Sequence, residues 1–203
     1  MRLDIILSAV IGEIAALLMV AVSRNLALPS GIQSAVSLLP FVFPFFTIGV
    51  MIVGIWFRTR LDVAYQFSKF LLVGGSNFLV DLAVLNLFIA LTVITQGFYA
   101  AVFKAVSFLV AMSWSFVWNK FWTFRSASIH RAPIQFAEFF AVSVVGILIN
   151  VGTFAFTNSV VGPQAGIDQR TWASVSAAAA AVAGLLWNFL GYKFLVFRRE
   201  SRS

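Results

Sequence analysis

The sequence predicts an all-α integral membrane protein of six transmembrane helices. Four of them form a parallel duplication of a two-helix unit, and the other two form an N-terminal helical hairpin. Composition is the first observation behind this reading. Of the 203 residues, 61% are hydrophobic, 10% are charged and 23 are Phe. A soluble domain carries roughly 25% charged residues, and mean hydropathy here is +0.98. The second observation is that most lysines and arginines flank the apolar runs. The third is that part of the chain is written twice.

A shift of 69 positions lays Phe67, Phe70 and Val73 on Phe136, Phe139 and Val142. Without a gap, Val106, Ser107, Ala111, Trp118 and Asn119 then meet Val175, Ser176, Ala180, Trp187 and Asn188. Four residues are inserted after Asn188, and the endings rejoin, Lys120 to Arg125 against Lys193 to Arg198. A register held through two apolar segments and their loop marks a duplicated structural unit. The repeats are 67–125 and 136–198. They lie within a four-helix membrane domain, 61–203, preceded by the hairpin, 1–60.

Taken in order, Ile5 to Val22 is long enough to cross a hydrocarbon core of ~30 Å. Glu13 in its middle argues against a cleaved signal peptide ending near Ala21-Val22-Ser23. Pro29 and Gly31 mark a turn-rich connection. The second span, Ala35 to Phe57, contains Pro40 and Pro44, each removing a backbone donor, so a kink or irregular start is expected. Arg58 to Gln66 reads as a short interfacial segment. The first repeat gives spans near Phe67–Leu91 and Ala101–Phe121, the second near Phe136–Val160 and Trp172–Phe194. Their connections leave no room for a globular domain outside the membrane.

Eleven basic residues fall on one side: Arg2, Arg58, Arg60, Lys69, Lys120, Arg125, Arg131, Lys193, Arg198, Arg199 and Arg202. Arg24, Lys104 and Arg170 fall on the other. The positive-inside rule then places both termini in the cytoplasm and the protein in the cytoplasmic membrane. The net charge of +7 is thereby an orientation signal, and no nucleic-acid partner is expected. There is no cysteine, so thiol, disulfide and thiolate–metal chemistry are closed.

Each repeat has two helices, so both copies enter the membrane in the same sense and should be related by a pseudo-two-fold axis along its normal. Gly74, Asn77 and Asp81 share one helical face, continued in the second copy by Ser143, Gly146, Asn150, Thr153 and Thr157. Asp81 thus corresponds to Asn150. A mid-membrane aspartate costs about 2.5–3.5 kcal/mol and should be turned inward and partnered or protonated. Asn77, Asp81 and Asn150, with Ser107 and Ser176, form the expected intramembrane polar path. The competing reading is hydrogen-bonded glue between helices. Small residues such as Ala177 to Ala181 read as helix contacts.

Trp118-Asn119-Lys120-Phe121-Trp122-Thr123-Phe124-Arg125 places an amide, cations and aromatics at the cytoplasmic boundary. Trp187-Asn188 with Tyr192-Lys193-Phe194-Leu195-Val196-Phe197 repeats it. Tryptophan and arginine there serve as interface anchors. Neither orientation nor anchoring requires an amide at the same repeat position. Asn119, Lys120, Asn188 and Lys193 are therefore candidates for binding a lipid phosphate.

The Phe-x-x-Phe opening with Val-Gly-Gly, the Asn-Lys-Phe-Trp-Thr-Phe run and the later Asn-Phe…Lys-Phe-Leu-Val-Phe ending resemble the GtrA family over Phe67 to Arg199. The resemblance implies a role in cell-surface polysaccharide synthesis, with a polyprenyl-phosphate-linked sugar as the translocated ligand. It also implies a membrane glycosyltransferase as partner, so a scaffold for such an enzyme is the alternative function. It is silent on the hairpin. Membrane lipids are partners by composition, and a six-helix monomer has so little bulk for alternating access that a homodimer is expected. No cofactor or metal is implied. No nucleophile–base constellation argues for an enzyme, and the one histidine, His130, lies in a loop. Drug efflux is a third reading, resting on small size and one buried acid.

Overall fold

A computed structural model of the chain describes residues 1–197, apart from 27, 59, 60, 127, 128, 165 and 167, and without the side chains of 169–171, 173 and 174. Of the topological charges, Arg60, Arg198, Arg199 and Arg202 lie outside the described residues, as does the Arg170 side chain. The helices are α1 (Arg2–Arg24), α2 (Ser30–Ser37), α3 (Leu39–Phe57), α4 (Asp62–Thr92), α5 (Gly97–Trp118), α6 (Ala132–Ala155) and α7 (Gln169–Gly191). Asn119–Thr123, Phe156–Val161 and Tyr192–Val196 continue α5, α6 and α7 as π-helical turns. Among the described residues six helices are long and apolar enough to span a membrane, and the chain is an all-helical membrane protein.

The local causes are legible. Asp4 in the first turn of α1 and Arg24 in its last complement the helix dipole. The expected irregularity of the second span is a break at Leu38, separating α2 from α3. Pro40 then sits in the first turn of α3, where a missing donor costs nothing. The stretch expected to be interfacial up to Gln66 is shorter, because Asp62 already opens α4. At 31 residues and ~1.5 Å per residue, α4 is about 46 Å long and must project beyond a ~30 Å core. Pro133 lies in the first turn of α6.

The chain divides into two compact units, Met1–Arg125 and Ser126–Ser203. In the first, α1 and α3 pack on each other and on α4, and α4 packs on α5. The close α1–α3 crossing requires Gly12, where a Cβ would collide with Thr47 Oγ1 and lie 2.9 Å from Pro44 Cα. Thr47 Oγ1 in turn donates to the Ser8 carbonyl across the crossing at 2.9 Å. Ile11, Met51, Tyr65, Leu72, Val73 and Trp122 form the core, while Phe41, Phe45 and Trp56 point outward, as lipid-facing residues do.

In the second unit, α6 packs on α7. Tyr192 stacks on Phe139 with ring centres 4.0 Å apart, and its hydroxyl is 2.6 Å from Ser143 Oγ. Repeat-equivalent positions are buried alike in their own units: Phe70 and Phe139, Val73 and Val142, Ser107 and Ser176, Ala111 and Ala180.

Candidate functional site

In the first unit, Asp81 is half-buried and accepts a hydrogen bond from Ser107 Oγ at 2.6 Å. It is also ion-paired with Lys104 on α5. Ser107, fully buried, can donate instead to the Lys104 carbonyl at 3.0 Å. The aspartate is partnered, and its counter-ion is a residue counted above only as a loop-side charge; Lys104 itself is exposed, so the pair lies at the outer edge of the α4–α5 contact. The second copy has Asn150 where the first has Asp81 and Ala173 where it has Lys104. Both charges are absent together, as a mutually compensating pair requires.

Other members of the polar path are placed less uniformly. Asn77 is half-buried, with its Oδ1 enclosed and without a hydrogen-bond partner among the described residues. Gly74, expected on the same face, is exposed. Asn150 lies against Gly184 of α7: a Cβ there would be 3.3 Å from Asn150 Cβ and 3.7 Å from its Nδ2. Ser176 is buried and its Oγ has no partner among the described residues.

At the helix ends, Asn119 is buried and donates through Nδ2 to the Ser115 carbonyl at 2.9 Å and Ser115 Oγ at 3.2 Å. Its Oδ1 is left enclosed without a partner among the described residues. Lys120 is also buried, 5.7 Å from the Phe121 ring centre. In the second unit Asn188 presses its Oδ1 over Gly146, where a Cβ would collide with it. That oxygen too is enclosed and unpartnered among the described residues. Lys193 is half-buried between Phe189 and Phe194, at 5.9 and 5.5 Å from their ring centres.

The four-residue insertion has a geometric consequence. The Phe124 amide donates to the Asn119 carbonyl at 2.9 Å, and the Phe197 amide to the Tyr192 carbonyl at 2.8 Å. The two π turns therefore match at Asn119 and Tyr192, whereas the ungapped repeat pairs Asn119 with Asn188. Four residues are about one helical turn, so Asn188 and Tyr192 lie near one face of α7 and both pairings keep the same side of the helix.

A buried polar cluster was not anticipated from sequence. Lys69, counted above as a topological charge, is wholly buried and donates to Asp4 Oδ1 at 2.6 Å. The same oxygen accepts from Trp122 Nε1 and Arg125 Nη2, both at 3.2 Å. Lys69 Nζ lies 4.2 Å from the Tyr65 ring centre, and Arg125 also donates to the Tyr65 hydroxyl at 3.3 Å. Trp122 is therefore a core residue in this unit, not an interface anchor. The available signal was a lone cation two residues inside the apolar run that opens at Phe67. Such a charge needs a partner, but nothing in the sequence singled out Asp4, 65 positions away, over the nearer Asp62.

Helices of membrane-spanning length, apolar outward surfaces and a few paired polar groups within the helix packing define a polytopic membrane protein. The family model for the GtrA/DPMS transmembrane domain matches residues 69–200. The chain belongs to that family, and is a membrane protein of polysaccharide or glycolipid synthesis. Domains of this type are generally non-catalytic. No curated protein and no solved structure matches the chain. Residues 1–68, the hairpin included, precede the matched part.

Proposed function

We propose that the chain translocates a polyprenyl-phosphate-linked sugar across the cytoplasmic membrane. The observation that carries this reading is the Asp81–Lys104–Ser107 group between α4 and α5. A membrane anchor has no need of a charged pair within its span; such charges are costly even when paired, and where they are kept they mark a pathway. Asn77, Asn150 and Ser176 extend the polar path within their own units. Asn119 and Lys120, and Asn188 with Lys193, are the proposed contacts for the lipid phosphate. The Nδ2 of Asn119 already serves Ser115, so phosphate contact at that end requires the π turn to rearrange.

The test is reconstitution of the purified protein into liposomes carrying a fluorescent polyprenyl-phosphate sugar in the inner leaflet. Its exposure is then followed with a membrane-impermeant quencher. Exposure faster than in protein-free vesicles is expected. Exposure at the protein-free rate, together with stimulation of an added polyprenyl-phosphate glycosyltransferase, would establish the scaffold instead.

A further inference from the structure

The Asp4 cluster has the form of an occupied anion site. Three side-chain donors of different kinds, an ammonium, an indole N–H and a guanidinium, converge on one carboxylate oxygen. A simple latch between two helices would need only one of them. All three donors, Lys69, Trp122 and Arg125, lie within the matched residues 69–200, whereas the acceptor lies on the hairpin before them. The family domain thus carries the donors, and the appended segment carries the anion.

The backbone supports the same reading. Arg125 follows the π turn Asn119–Thr123 with φ of 54°, a left-handed conformation that a non-glycine residue adopts only when held there. That conformation turns its guanidinium back toward Asp4 while leaving the side chain 55% exposed. Lys69 and Asp4 are sealed, but the rim is open at Arg125. Arg58, whose guanidinium lies 5.1 Å from the Tyr65 ring centre, adds a further cation. Further along α1 and α4 in the same unit, an apolar cavity of about 270 Å³ is lined by Ile11, Thr47, Leu72, Ser76 and Phe78, among others, with none of the cluster's own residues in its wall. Ile11 and Leu72 belong to the same core as Tyr65 and Trp122.

We propose that Lys69, Trp122 and Arg125 form a site for a phosphomonoester, that of a membrane lipid, and that Asp4 of the hairpin occupies it as a built-in plug. A tetrahedral anion offers each donor its own oxygen, whereas here all three share Asp4 Oδ1 while Oδ2 faces the Met1 ammonium at 3.1 Å. The second copy has Glu138 and Leu195 where the first has Lys69 and Trp122, so the site is single. The proposal takes only its choice of lipid probe from the translocation reading.

The test compares the full chain in detergent with Asp4→Asn and with Asp4→Asn/Lys69→Gln. The probes are a long-chain polyprenyl monophosphate, the uncharged polyprenol and inorganic phosphate. Asp4→Asn should bind the polyprenyl monophosphate about tenfold tighter than the parent, the added Lys69→Gln should abolish that gain, and polyprenol should not discriminate among the chains. Competition by inorganic phosphate at equal affinity would place a free phosphate in the site and overturn the lipid assignment. If Asp4→Asn is unstable alone, the polyprenyl monophosphate should raise its melting temperature more than the parent's, because a ligand stabilises the state it binds. An Asp4→Asn chain that binds no better than the parent, or that the lipid does not stabilise, overturns the plug. Flipping by the parent chain is a separate measurement, so either idea can fail alone.

Discussion

At the scale of single residues, the paired charges carry the sharpest expectations. Asp81→Leu leaves Lys104 without its carboxylate and should cost about 1–3 kcal/mol of stability, with slower liposome transport. Asp81→Asn keeps a group that can accept from Ser107 and should be milder. The double change Asp81→Asn/Lys104→Ala reproduces the residues of the second copy and should recover the stability lost in Asp81→Leu. Thermal unfolding of the four chains in detergent checks the order, and a double variant less stable than Asp81→Leu would contradict the pairing. Gly146 gives a packing test. A methyl there meets Asn188 Oδ1, and overpacking of this kind costs about 1–3 kcal/mol. Gly146→Ala should be destabilising in the parent and much less so beside Asn188→Ala, with a coupling energy above the ~0.5 kcal/mol expected of independent sites.

At the scale of elements, the π turns matter most. A π turn holds one more residue than an α turn would, and in Asn119–Thr123 it sets the rotation at which Trp122 reaches Asp4. In Tyr192–Val196 it brings the Val196 carbonyl to Gln135 Nε2, at 3.4 Å. Deleting the exposed Phe121 should return the first of these to α geometry and swing Trp122, which follows it directly, away from Asp4, while the chain beyond the turn keeps nearly the same rotation. The expected outcome is loss of the Asp4 contacts, seen as a lower melting temperature and a red-shifted tryptophan emission. An Ala replacement at Phe121 should leave both nearly unchanged. Equal behaviour of the two variants would show that the extra residue has no structural role.

At the scale of the molecule, the contacts of Asp4 with Lys69, Trp122 and Arg125 put the start of α1, the start of α4 and the end of α5 at one level of the first unit. That is the alternation that four successive crossings, by α1, α3, α4 and α5, demand. Reporter fusions at Ser203 and in the loop at 161–171 should report opposite sides, with Ser203 cytoplasmic. A periplasmic reading at Ser203 would reverse the orientation and move every proposed phosphate contact to the other face. Lys69 is buried, so the charge bias rests on the remaining surface cations. Lys69→Gln should leave the orientation unchanged.

The sequence by itself determined the membrane class, the six spans and the family. These follow from properties carried by the chain locally: the length of each apolar run, the position of prolines and basic flanks, and a register repeated at fixed spacing. It also located Asp81 as a group needing a partner, because a carboxylate well inside an apolar run is costly whichever helix faces it. Which group answered it was decided by tertiary structure. Asp81 meets Lys104 across 23 positions, and Lys69 meets Asp4 across 65. Such pairings depend on which helix faces are turned together, and no local period encodes that. The π turns escaped the sequence for a related reason. One extra residue in a helix changes no composition or hydropathy, and becomes visible only when the side chains beyond it are seen to reach Asp4 or to close on Gln135.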